Sequence, residues 1–186
     1  MKLKIYLTFG LLIWAAFSCI SPEEHKTLEK LPYFDLKGFV ELELGKLDGG
    51  KVAKISKVNG EEKAVEKIYS IKDWKEEFET FYTADINTPA LATSYSTESE
   101  GEFLVHRLLP EAKGKAKEIK IRYINEYPAA IIVRTGEESL YYQTSTVAEF
   151  YMNMATETID HYTIESTQKV WFLDPTNVKI SGAVKR

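Results

Sequence analysis

Few residues in this 186-residue chain could carry chemistry, and their spacing narrows the choice further. The histidines are His25, His106 and His161, with no His-x-x-x-His spacing and no cysteine pair to complete a ligand set. Zinc needs three or four such ligands, so no metal site is expected. A hydrolase needs a nucleophile beside an oriented base, yet no Gly-x-Ser-x-Gly elbow occurs. A glycosidase needs two facing carboxylates, whereas Asp160 and Glu165 fall on opposite faces of their strand. Gly49-Gly50 lacks the Lys-Ser that would complete a phosphate loop, and no Asp-x-Asp-x-Asp-Gly calcium loop occurs. No catalytic residue and no cofactor are expected.

The residue that does stand out is Cys19, the only cysteine, placed where an apolar run ends. Lys2 and Lys4 form a basic start, and Ile5 to Phe17 forms an apolar segment of secretory length, too short to span a bilayer comfortably. Taken alone, the pattern fits a cleaved signal, an uncleaved signal anchor, or cleavage after Ser18 that leaves a free thiol. Ala15-Ala16-Phe17-Ser18-Cys19 resembles a bacterial lipobox, and looser boxes ending in Ser-Cys resemble those of Bacteroidota lipoproteins. The resemblance implies that a signal peptidase removes residues 1–18 and that Cys19 carries the lipid. Two or more acyl chains hold a protein firmly at a membrane without a spanning helix, and a lone cysteine forms no intrachain disulfide.

Residues 19–30 are polar and read as a tether; Ser21-Pro22-Glu23-Glu24 resembles the acidic export tag of surface lipoproteins. Residues 31–186 are long enough for one domain with a real core. Loss of Lys2 and Lys4 moves the formal charge from −4 to about −6, with both signs interspersed, so nucleic acid is not an expected partner. Eleven tyrosines, nine phenylalanines and three tryptophans suit strands and the walls of an apolar cavity alike.

The elements follow from periodicity. A helix capped by Asp35 carries Leu36, Phe39, Val40, Leu44 and Leu47 on one stripe and ends at Gly49-Gly50. Asn59-Gly60, between Val52 to Ile55 and Ala64 to Ile68, predicts a hairpin with a type I′ turn. Ser70 and Asp73 predict the start of a second helix with Ile71, Trp74, Phe78 and Phe81 on one face and Glu76, Glu77 and Glu79 toward solvent. Pro89 excludes helix just before it, and residues 93–101 read as a polar loop.

Strands are then expected at 103–108, 118–123, 129–133, 140–153, 158–173 and 178–185, with short separators that favour antiparallel neighbours. Ile159, His161, Thr163 and Glu165 alternate with Asp160, Tyr162, Ile164 and Ser166. Strands this long coil, and Gly182 is a candidate bend. The fold class is therefore α+β: a strongly curved, open-barrel-like antiparallel sheet of about eight strands, with two amphipathic helices packed on it.

Tyr33-Phe34-Asp35-Leu36-Lys37-Gly38-Phe39, Val58-Asn59-Gly60-Glu61 and Tyr162-Thr163-Ile164 with Gln168-Lys169 resemble uncharacterised Bacteroidota lipoproteins, a family that implies a location and no activity. The architecture is loosely similar to periplasmic lipoprotein carriers, in which helices fill a concave sheet that admits acyl chains. The lipoprotein resemblance, with the absence of an enzyme motif, leads to the expectation of a non-enzymatic protein anchored in the cell envelope, at the outer membrane. Its expected partners are the membrane and an apolar or lipid-like ligand bound by Phe39, Trp74, Phe78 and Phe81. The alternative is an envelope interaction or scaffold protein that uses aromatics such as Tyr141 or Tyr151 on the outer sheet face.

Overall fold

A computed structural model describes residues 30–185; the leader, Cys19 and most of the tether lie outside the described residues. Asp35 caps helix α1 (Leu36–Gly45) by accepting the Gly38 amide at 2.9 Å, as its position before the apolar stripe requires. Leu36, Val40 and Leu44 are buried, and Leu47, two residues past the end of the helix, joins them.

The chain then forms β1 (Lys51–Val58) and β2 (Glu61–Ile68) around Asn59 and Gly60, whose φ values of 48° and 98° are those of the tight turn their residue types favour. Ser70 and Asp73 close a capping box on α2 (Ile71–Glu77). The helix does not run on to Phe81. It breaks at Phe78 (φ −95°, ψ 14°), and a separate turn, α3 (Glu79–Thr83), carries Phe81. The second predicted helix is thus two short ones, which makes three helices among the described residues.

Seven further strands follow: β3 (Tyr95–Glu100), β4 (Phe103–Leu108), β5 (Ala116–Ile124), β6 (Tyr127–Glu138), β7 (Tyr142–Asn153), β8 (Thr158–Val170) and β9 (Thr176–Lys185). β3 occupies the stretch read as a polar loop. It is an edge strand whose only buried side chain is Tyr95, so it carries no apolar alternation to betray it.

The described strands form one open antiparallel sheet in the order β2-β1-β9-β8-β7-β6-β5-β4-β3. Only the β1–β9 pairing breaks sequential order, and it brings the amino-terminal hairpin beside the last strand. A register shift at Tyr151 and Met152 places Ile159 on the same side as Tyr162, two positions that strict alternation would separate. The sheet is broadly as expected, with nine strands in place of about eight.

The helices cover one face. Between them and the sheet lies the core, with Leu36, Val40, Trp74 and Phe81 from the helical side and Ile119, Ile131, Phe150 and Tyr162 from the strands. The segment before α1 is tied down by His106. Its Nε2 accepts the Phe34 amide at 3.3 Å, so Nδ1 carries the proton and donates to Thr97 Oγ1 at 2.9 Å. Burial holds this imidazole below its ordinary pKa, which keeps Nε2 available as an acceptor.

The β5–β6 turn places Asn125 and Glu126 at φ 51° and 65°. Glutamate has no side-chain reason to adopt this left-handed geometry, and it is exposed there. Glu126→Gly should therefore raise stability by about 1 kcal/mol, read as a higher urea midpoint at unchanged slope.

Candidate functional site

The four aromatics proposed as ligand contacts lie together on the helical side. Trp74, Phe78 and Phe81 are fully buried, and Phe39 is partly buried. Phe78 sits 5.2 Å from Phe81 and 5.0 Å from Tyr162, ring centre to ring centre, while Phe81 meets Phe150 edge-on at 5.0 Å. Trp74 donates its indole N–H to the Leu47 carbonyl at 2.9 Å. Phe39 stacks toward Phe150 at 6.4 Å. These rings fill the space between helices and sheet with one another, so their contact surface is spent on packing.

A polar cluster lies at the edge of this packing. Glu77 turns inward, contrary to its expected place on the solvated side of the helix. Its Oε2 accepts from Lys54 Nζ at 2.6 Å and from the Tyr69 hydroxyl at 3.2 Å, and its Oε1 accepts from the Tyr162 hydroxyl at 3.1 Å. Burial alone would pull the Lys54 ammonium down, but the hydrogen bond and charge of Glu77 outweigh it and hold Lys54 above its ordinary pKa. Burial, reinforced by the negative charge of Glu77, pushes the Tyr162 phenol well up.

Glu43 repeats the arrangement on α1. It is fully buried, and its Oε1 accepts from Lys46 at 2.7 Å and from the Tyr127 hydroxyl at 3.1 Å. Both glutamates stand three residues after an apolar stripe position, Val40 and Trp74. That spacing, which places them on the buried faces, is the signal that could have found them.

The opposite face of the sheet is different. Lys54 and Tyr162 point to the helices, so the alternate positions Ala53, Ile55, His161 and Thr163 point away from them. The registers Ala53↔Ala183, Ile55↔Ser181, Ile55↔Ala64 and Thr163↔Ser181 bring a patch of short side chains together across β2, β1, β9 and β8. Short side chains between longer neighbours leave an open, predominantly apolar furrow of about 560 Å³. Glu66 and His161 line it as polar members. The His161 ring stacks on Tyr151 at 4.7 Å and 12°, and its Nδ1 lies 2.9 Å from Asp160.

Elsewhere this outer face is charged. Arg107 pairs with Glu98, Glu100 and Glu118 at 3.3, 2.6 and 3.0 Å. Among the described residues no three His, Cys, Asp or Glu side chains stand close enough to hold a metal ion. No described helix is long and apolar enough to cross a membrane. Cys19 lies outside the described residues, so its surroundings are not part of this geometry.

Comparison of the chain with family models, with curated proteins and with solved structures finds no match.

The Glu77 cluster predicts an alkaline limit to stability. Lys54 and Tyr162 both bind their protons more tightly in the fold than in the unfolded chain. Their contribution is therefore complete below about pH 10 and is lost as pH rises through the folded-state values. Lys54→Met, which leaves Glu77 without its ammonium, should cost about 3 kcal/mol at neutral pH and flatten the fall above pH 10. Urea titrations across pH 7 to 11 measure both effects.

Proposed function

We propose that this chain is a lipid-anchored protein of the bacterial cell envelope, held at the outer membrane through Cys19, which binds an apolar, lipid-like ligand without catalysis. The observation that carries the binding half is the outer-face furrow. Its volume of about 560 Å³ falls within the range of small-molecule sites, roughly 300 to 1,000 Å³, and its lining is mostly apolar. Ala53, Ala64 and Ala183 form a floor against which a chain of methylenes can lie, and His161 and the Lys51–Glu66 ion pair stand at its edge as polar contacts for a headgroup. In this reading the ligand lies on the sheet's outer side, and Phe39, Trp74, Phe78 and Phe81 support the sheet from behind. β6, β7 and β8, with 12, 12 and 13 residues, support the curved, open-barrel-like form that belongs to the same proposal.

The second reading, an envelope interaction protein, has its own support. Tyr151 and His161 present a stacked pair on the outer face next to the furrow, as a protein partner's anchor residue would require.

Two measurements test the proposal. Metabolic labelling with a palmitate analogue should mark the wild-type chain and leave Cys19→Ala unlabelled; equal labelling of both contradicts the anchor. A fluorescent polyene fatty acid should bind the wild-type chain, and Ala183→Leu, which fills the furrow, should weaken binding about tenfold, or about 1.4 kcal/mol. Binding that survives Ala183→Leu but is lost in Phe39→Ala would return the ligand to the helical side.

A further inference from the structure

The largest exposed apolar side chains gather at one end of the sheet. Leu140 is 88% exposed and Tyr141 66% in the β6–β7 turn, while Trp171 is 76%, Phe172 78% and Leu173 59% in the β8–β9 turn. The two turns are joined: the Trp171 amide donates to the Tyr141 carbonyl at 2.9 Å. Ser139 Oγ accepts the amides of Tyr141 and Tyr142 at 3.3 and 3.1 Å, which orders the first turn. Tyr142 and Val170 pair in register directly behind them. Five large, exposed apolar residues are thus carried on two hydrogen-bonded turns, and none contributes to the core.

Burying each such side chain is worth roughly 1.5–3 kcal/mol, so a cluster of five left in water marks a contact surface. We propose that this double turn inserts into the lipid bilayer. The residue types and their placement select this occupant. Trp and Tyr favour the headgroup level of a membrane, while Phe and Leu favour the hydrocarbon below it, and all five stand at the projecting ends of hairpins. Of the flanking charges, Lys169 and Asp174 offset one another, Glu137 is paired with Lys115 and Glu138 adds one negative charge, so the contact is driven by apolar burial and not by attraction to anionic lipid.

The chain outside the described residues completes the argument. From Cys19 to Lys30 is 11 residues, which at full extension span about 40 Å. An anchor at Cys19 therefore keeps the domain within reach of the bilayer, where a second, modest contact is strengthened by proximity. This step rests on the anchored reading above; the nature of the tip does not.

The test uses the full chain with Trp14→Phe, produced in a bacterial host and reconstituted into phosphatidylcholine vesicles, some with lipids brominated along their acyl chains. Trp74, buried in the core, and Trp171 are then the remaining tryptophans. Brominated lipid should quench the Trp171 emission, the quenching should withstand high salt, and Trp171→Phe should abolish it. Leu140→Ser with Phe172→Ser, both at exposed positions, should leave Trp171 emitting but reduce its quenching. Absence of quenching, equal quenching in wild type and Trp171→Phe, or a shielded, blue-shifted but unquenched Trp171 would overturn the proposal, the last by pointing to a protein contact. Palmitate labelling of the same preparation reads the anchor separately, so failure of one proposal is distinguishable from failure of the other.

Discussion

The aromatic ring of Tyr162 occupies the space where residue 182 would carry a side chain. Tyr162 and Gly182 are register partners on β8 and β9, and any Cβ on Gly182 would collide with that ring. The glycine serves close approach, not a turn. With the ring laid across β9, its hydroxyl reaches Glu77 on α2, and Glu77 in turn gathers Lys54 from β1 and Tyr69 after β2. Trp74 and Phe78 pack on the same ring at 6.1 and 5.0 Å. One tyrosine therefore connects the helical layer to the sheet through both apolar contact and a satisfied polar cluster.

That arrangement decides which surfaces are left for function. A helix can bury its apolar face once, and here α1, α2 and α3 bury theirs on the sheet. The inward face of the sheet is consequently a core. The outer face divides in two: the β3–β6 side carries an ion network centred on Arg107 and Glu118, and the β8-β9-β1-β2 side carries short side chains and the furrow. Gly182 bears on both sides, because the same strand segment that admits Tyr162 on one face presents Ser181 and Ala183 on the other.

Much of this was legible in the residues themselves. Asp35, Ser70 with Asp73, and Asn59-Gly60 announce local geometries that need no tertiary help, and each forms as its chemistry dictates. What was illegible depends on partners distant in sequence. β3 is a strand because β4 pairs with it, and its Ser, Thr and Glu side chains show no buried face. Glu77 reads as a solvated residue until Lys54, 23 positions earlier, and Tyr162, 85 later, are brought to it. Periodicity puts Phe78 and Phe81 on one face, and both do meet Phe150, but it does not show the break at Phe78 between the two short helices. The furrow was invisible because three alanines on three strands carry no signal until the β1–β9 pairing aligns them.

The most direct test of this account is a double-mutant cycle between positions 162 and 182, read by urea unfolding. Gly182→Ala should cost about 1–3 kcal/mol in the wild-type background, the range for forcing extra atoms into a packed core. In a Tyr162→Ala background the same substitution should cost almost nothing, because the ring that excludes the methyl is gone. A Gly182→Ala change that is neutral in the wild type, or equally costly in both backgrounds, would contradict the claim that the Tyr162 ring on Gly182 docks the helices onto the sheet.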